Sequence, residues 1–302
     1  MVATHLAHRA LLLEECSTAV SAGSNIMLRA GTTAAICQLQ ALSPVGRCKS
    51  FEVSADGYGR GEGVATLVLC RPSEAQLVVL HGEGGMKAVI HGSALNQGGR
   101  SSGLTAPSGP AQSSLIQTCL VDAGLSLDRV GVVSVHGTGT PLGDPIEVGG
   151  LAQVLSKGTS PTAIVSNLTL LSNKSCYGHT EGTAGITSML LAMTSLDHHA
   201  APQVLHLREI NPYVTAAMDS SGSHNQMQAL RQTSPINAAN SLVAGCSSFG
   251  MSGVNAHMLV SSSTDHSNLR KVSNWCPGWL VHPRILHNAN FIIIAFFASV
   301  RS

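Results

Sequence analysis

An α/β fold is predicted from three observations. Short apolar, β-branched runs at residues 64–69 and 130–135 have the composition of buried strands. Stretches with helical spacing of apolar residues alternate with them, bounded by cap and stop signals. The joints between the two kinds of segment are rich in glycine, serine and threonine, which suit close backbone approach and side-chain hydrogen bonding. With 302 residues, 44% of them hydrophobic, the chain has material for a sizeable core in one large or two smaller domains.

In order, residues 1–13 have a helical pattern with no capping residue ahead of it. Residues 19–28 are small and apolar enough for a buried strand that tolerates Gly23, and residues 64–69 form a clearer one, expected in the same sheet. The loop 51–63 between them carries Asp56-Gly57-Tyr58, for which a tight turn outweighs a catalytic role of Asp56. Residues 73–87 are mixed and glycine-bearing, and a second half of the chain starts at residues 89–95. Ser108-Gly109-Pro110 then precedes a helix over 111–123, apolar at 115, 116, 119, 120 and 123 and stopped by Gly124.

The strand over 130–135 ends at His136, in the run His136-Gly137-Thr138-Gly139-Thr140-Pro141-Leu142-Gly143-Asp144-Pro145-Ile146-Glu147. Asp144 is expected as N-cap, Pro145 as the first helical residue and Glu147 as the partner in a capping box. Between strand and helix, the glycines let the backbone approach a ligand while Thr138 and Thr140 offer hydroxyls to it. A histidine at a strand end, a ligand-hugging loop and a helix start make a catalytic layout. The helix continues through Leu151, Val154 and Leu155 to Lys157-Gly158, and 163–171 supply a strand leading to Lys174, His179 and Glu181. A strongly apolar helix follows over 183–196. Residues 245–257 read as a glycine and serine loop, with a last strand over 255–260. The apolar run 291–300 is shorter than the ~20 residues that span a bilayer.

Composition excludes several function classes. A formal charge of +1 with 11% charged and 3% aromatic residues gives no footprint for nucleic acid and no polybasic stretch for an anionic membrane. The expected partners are proteins or small molecules. Eight cysteines show no CxxC pair, so no metal site is expected. No secretory pattern opens the chain, and reduced thiols in a cytoplasmic compartment are the expectation, an organelle staying open.

Three blocks, in order, resemble those of β-ketoacyl synthases, the condensing enzymes of fatty-acid and polyketide synthesis. They are the His136 run; Asn173-Lys174-Ser175-Cys176-Tyr177-Gly178-His179-Thr180-Glu181-Gly182-Thr183-Ala184-Gly185; and Ser247-Ser248-Phe249-Gly250-Met251-Ser252-Gly253-Val254-Asn255-Ala256-His257. Two weaker blocks, Asp56-Gly57-Tyr58-Gly59-Arg60-Gly61-Glu62-Gly63 and residues 92–107, are typical of modular polyketide synthases. The resemblance covers about the first 260 residues.

It implies a thiolase-like fold of layered αβαβα type, lacking part of its first half. Residues 1–72 would be the remainder of the N-terminal half, 73–87 a crossover, 88–261 the C-terminal half and 262–302 an unassigned tail. It further implies decarboxylative Claisen condensation of acyl and malonyl thioesters carried on the phosphopantetheine of acyl carrier protein, with no cofactor bound to this chain. His136 and His179 are then the paired active-site histidines, expected to be neutral, and Lys174 holds charge and geometry beside them, with Glu181 as its counter-ion. Thr138 and Thr140 would bind the pantetheine arm, Phe249 would gate the site, and Gly250 and Gly253 would shape its edge.

The family's nucleophilic cysteine falls a few residues before Met1, so no nucleophile is expected in this chain. Cys246 reads as a buried inert thiol rather than a substitute. Three departures from the family pattern stand out: Ser134 replaces an acidic residue, Gly98 replaces an aspartate, and the segment preceding Met1 is missing. A homodimer or neighbouring synthase domains are expected partners. Two other readings stay open: a non-catalytic truncated paralogue that binds carrier protein or a ketosynthase subunit, and a malonyl-carrier decarboxylase.

Overall fold

The structure, a computed structural model, describes residues 1–71, 88–99, 106–158, 168–219, 227–236 and 243–262. The segment 73–87 and the tail beyond 262 lie outside the described residues, as do residues 163–167 of the strand expected over 163–171.

Helix α1 (Val2–Leu12) leads into β1 (Thr18–Asn25), α2 (Ala30–Gln38) and β2 (Gly63–Cys70). β1 and β2 lie in one sheet, as expected, and pair antiparallel from Thr18↔Cys70 to Asn25↔Gly63. β1 itself is not the buried strand expected over 19–28. Ser21 is its one buried residue and Val20 is 65% exposed. It has a paired strand on one edge, and among the described residues no element covers its outer face. α1 is tied to the other half by the Ser93 hydroxyl, with His5 Nδ1 and His8 Nδ1 each 2.8 Å from its Oγ, and by an Arg9–Asp122 pair at 3.3 Å.

The second half runs β3 (Ala88–Gln97), α3 (Gly109–Ala123), β4 (Val130–Ser134), α4 (Gly143–Gly158), β5 (Leu168–Leu171), α5 (Lys174–Tyr177) and α6 (Ala184–Asp197). It continues with β6 (Ala200–Ala201), α7 (Pro212–Asp219), β7 (Met227–Ala229), β8 (Ser234–Pro235), β9 (Val243–Phe249) and β10 (Val254–Ser262). α3 begins as its sequence predicts, with Ser108 Oγ accepting from Ala111 N, and ends at Gly124 in a left-handed conformation, φ 62°. Residues 245–249, expected in a loop, belong to the strand β9 instead. β9 lies between β10 and β4, and its ladder satisfies a serine- and glycine-rich backbone whose composition alone reads as loop.

Among the described residues the main sheet has the order β3-β10-β9-β4-β5-β7. β9, β4, β5 and β7 run parallel, and β10 is antiparallel to its two neighbours. Every residue of β4 is buried because helices cover both faces, which is why it reads as an unbroken apolar run. Val133 packs into the core with Leu115, Leu151 and Val214 from α3, α4 and α7. Val132 points the other way, into the core built on Ile186 and Met189 of α6. β2 contributes Leu67 and Leu69 to that second core. α6 thus lies between the main sheet and the β1-β2 pair, and twelve of its residues are buried, as a helix apolar on all sides requires.

Candidate active site

The C-terminal end of β4 delivers His136 to a loop held by two buried carboxylates. Glu147 accepts from the backbone N–H of His136 (2.7 Å) and of Gly137 (2.9 Å). Asp144 accepts from Phe51 N (2.8 Å) and Gly139 N (3.1 Å). This corrects the expected capping box: α4 starts at Gly143, and both carboxylates turn back to the loop instead of closing their own first turn. Burial raises Asp144 to about 6 and Glu147 to about 7, while the backbone donors oppose the shift. Gly139 has φ 74°, and a Cβ there would stand 2.6 Å from Lys49 N, so the segment around Lys49 lies directly on the loop. Ser50 Oγ donates to Gly137 O (2.6 Å).

His179 arrives from the other direction, after α5 and Gly178 (φ 74°). Its backbone is gripped by the Gly59–Gly61 segment: His179 N donates to Gly59 O (2.7 Å), and Gly61 N donates to His179 O (2.9 Å). The ring lies 5.2 Å from that of His136, planes at 83°, and 5.0 Å from the buried Tyr58 ring. The Phe249 ring is 5.7 Å from His136.

Each histidine accepts a backbone N–H at Nδ1, from Glu181 N at 3.1 Å for His179 and from Phe249 N at 3.4 Å for His136. An N–H can only donate, so each ring carries its proton on Nε2. Burial, with Lys174 next, holds both rings well below the usual histidine range, so both are neutral. The arrangement offers two uncharged N–H donors at one cavity wall.

Lys174 is 2% exposed and makes no ion pair with a carboxylate among the described residues. Burial pulls its ammonium down to about 8, opposed by the charges of Glu147 and Asp144. Glu181 is not its counter-ion. Its carboxylate binds Arg60 in a two-point pair, at 2.7 Å to Nε and 2.8 Å to Nη2. Arg60 reaches it because Gly59–Gly61 runs beside His179, whereas Lys174 is turned into the core beneath the two rings' loops.

Thr138 and Thr140 face each other, hydroxyls 3.2 Å apart, with Thr140 also accepting from Gly143 N (3.1 Å). Gly250 N donates to Val254 O (2.7 Å), and Gly253, with φ 91°, accepts from Gly98 N (2.6 Å); together they shape the β9–β10 turn next to Phe249. A cavity of about 870 Å³ is lined by His136, His179, Thr138, Thr140, Phe249 and, from the N-terminal end of α1, Met1. Ser134, in place of an acidic residue, is hydrogen-bonded to Ser188 Oγ (2.7 Å) as a neutral buried pair.

Three buried thiols are poor nucleophiles. Burial pushes up Cys48, raises Cys119 to about 12 and raises Cys246 further. Two residues at the site have no role that the sequence pattern predicts. Tyr58 reads as part of a turn, yet its ring stands against His179 and burial raises its phenol to about 12. Arg60 belongs to the same block, where its place before Gly61 is the available signal.

The Beta-ketoacyl synthase, N-terminal domain family matches residues 1–75, and the Beta-ketoacyl synthase, C-terminal domain family matches residues 87–208. Polyketide synthase GfsA of Streptomyces halstedii is 39% identical over 266 residues, 88% of this chain and 3% of that protein. Spectinabilin polyketide synthase system protein NorB of Streptomyces orinoci is 39% identical over 260 residues, 86% of this chain and 11% of that one. Among solved structures, the ketosynthase from module 6 of the bacillaene synthase of Bacillus subtilis 168 is similar, with a TM-score of 0.78 and 31% identity over 87% of this chain and 46% of that one. The chain therefore spans less than half the length of that ketosynthase and a small part of the two synthases.

Proposed function

The chain belongs to the β-ketoacyl synthase family, and from that premise we propose that it is a condensing segment of a polyketide-type synthase. An acyl group passes from a carrier thioester to a cysteine thiolate, which releases the carrier as its thiolate. The C–C bond to the malonyl carboxylate then breaks, CO2 leaves, and the electron pair becomes an enolate on the thioester. The enolate carbon attacks the acyl-enzyme, and the cysteine thiolate departs as the β-ketoacyl carrier forms.

The observation that carries this reading is the neutral pair His136 and His179, each with its proton on Nε2. Such donors, already oriented, stabilise a developing enolate oxygen without reorganisation. Lys174 adds positive charge behind the pair. Thr138 and Thr140 position the phosphopantetheine arm of an acyl carrier protein, and Phe249 stands at the gate. In this reading the thiolate acts at the N-terminal end of α1, which lines the same cavity and where a helix N-terminus lowers a thiol's pKa. A two-fold dimer and neighbouring synthase domains complete the proposal.

A second reading, malonyl-carrier decarboxylation without condensation, is favoured by one observation: the histidine pair is in place while Cys48, Cys119 and Cys246 are held as thiols. The test incubates the native protein with acyl-primed and malonyl-loaded carrier and follows carrier-bound products by mass spectrometry. A β-ketoacyl carrier, lost in His136→Ala and His179→Ala, supports condensation. Acetyl carrier alone, lost in the same variants, supports the second reading. Neither product would sink both.

A further inference from the structure

Glu181 has φ 40°, a left-handed conformation disfavoured for a residue with a Cβ. That conformation has a use: it aims the Glu181 N–H at His179 Nδ1, 3.1 Å away. The carboxylate of the same residue is bound at two points by Arg60, whose remaining Nη1 donates to Thr33 Oγ1 at 2.7 Å. The Arg60 side chain is 6% exposed and that of Glu181 24%, and each of the three guanidinium nitrogens has a partner. Arg60 also bridges to His179 through the backbone, between the Gly59 and Gly61 hydrogen bonds to that residue. The segment that holds the histidine's main chain, through Gly59 O and Gly61 N, therefore also carries the side chain that binds the residue donating to its ring.

We propose that Arg60 is a positioning residue for His179: its two-point ion pair with Glu181 keeps residue 181 left-handed, so that the Glu181 N–H occupies Nδ1 and the His179 proton stays on Nε2. This rests on the reading of His179 as a donor to the enolate oxygen. A plain charge effect of Arg60 on the imidazole is the competing account, and the two differ in what geometry they need. Lysine keeps the charge but lacks the fork. Glycine at 181 keeps the N–H and adopts a positive φ without the Cβ penalty, so it removes the need for Arg60.

The experiment measures kcat, KM for malonyl carrier and melting temperature in the native protein, using malonyl-carrier decarboxylation as readout. Arg60→Gln and Arg60→Lys are each expected to lower kcat about 100-fold, as a misaligned catalytic group does, with KM unchanged. Glu181→Gly is expected to stay within about 10-fold of wild type, and the double variant Arg60→Gln with Glu181→Gly to recover to that level, a recovery that a merely stabilising ion pair would not produce. Wild-type turnover in Arg60→Lys, or a double variant as slow as Arg60→Gln, overturns the proposal. Should Arg60→Gln fail to fold, Arg60→Lys alone and combined with Glu181→Gly make the same comparison. His179→Ala at wild-type turnover would instead overturn the functional reading beneath it.

Discussion

The imidazoles of His136 and His179 meet edge to face, centroids 5.2 Å apart and planes at 83°, and each accepts a backbone N–H at Nδ1. Two separate chain segments thus present the same tautomer to one cavity. Replacing either ring by alanine removes a donor aimed at developing negative charge. Turnover is expected to fall roughly 100- to 1000-fold with little change in KM, which steady-state decarboxylation and condensation assays measure.

The pH profile follows from burial. Both imidazoles are held well below their ordinary value, so they stay neutral as pH falls through 6.5, and the acid limb of kcat is expected below that point. Lys174, lowered to about 8, is charged below that pH and loses its proton above it. A decline above about pH 8 is therefore expected, and Lys174→Met should abolish this limb while lowering the plateau. Rate measurements from about pH 5 to about pH 9.5 check both limbs.

His257 gives a stability prediction. It is buried, its Nδ1 3.0 Å from Ser247 Oγ, and burial lowers it from 6.5 to about 4. The unfolded chain binds this proton below 6.5 while the native state refuses it down to about 4, so the unfolded state holds more protons in that window. Stability is then full above pH 6.5 and falls as pH drops toward 4, on the order of 2–3 kcal/mol from this residue. Urea unfolding at about pH 7 and about pH 4.5 should show a smaller pH-dependent loss in His257→Gln than in the wild-type protein.

Glu147→Gln replaces one acceptor oxygen by an amide NH2, which leaves the N–H of either His136 or Gly137 facing another donor. A buried backbone N–H without a partner costs about 1–3 kcal/mol. Thermal melts are expected to show that loss. Turnover should fall as well, because the same carboxylate sets where His136 leaves β4.

The parts legible in the sequence are those whose cause is local. β4 declared itself because a strand covered on both faces must be apolar throughout, and α3 because Ser108 and Gly124 bracket it. The three blocks marked His136, Lys174 and His179 by residue type and spacing, and the fold brings the two histidines to one cavity with Lys174 buried behind them. The misreadings share a different cause. Asp144 and Glu147 have the spacing of a capping box, yet a carboxylate bonds whichever N–H groups tertiary folding brings near, here those of Phe51, Gly139, His136 and Gly137. β9 has a loop-like composition and is a strand through its two neighbours.

By itself, the sequence determined the alternation of strands and helices, the apolar layers and the chemical inventory of the site, since these depend on side-chain polarity, periodicity and short-range caps. Tertiary structure decided which charge meets which. Glu181 lies seven residues from Lys174 in the chain but binds Arg60, because Gly59–Gly61 is laid against His179 and brings the guanidinium within 2.7 Å. Exposure of β1 was decided there too, for a strand is buried only where another layer covers it. Electrostatic pairing and burial are properties of distance in space, and sequence spacing does not encode the approach of segments separated by a hundred residues or more.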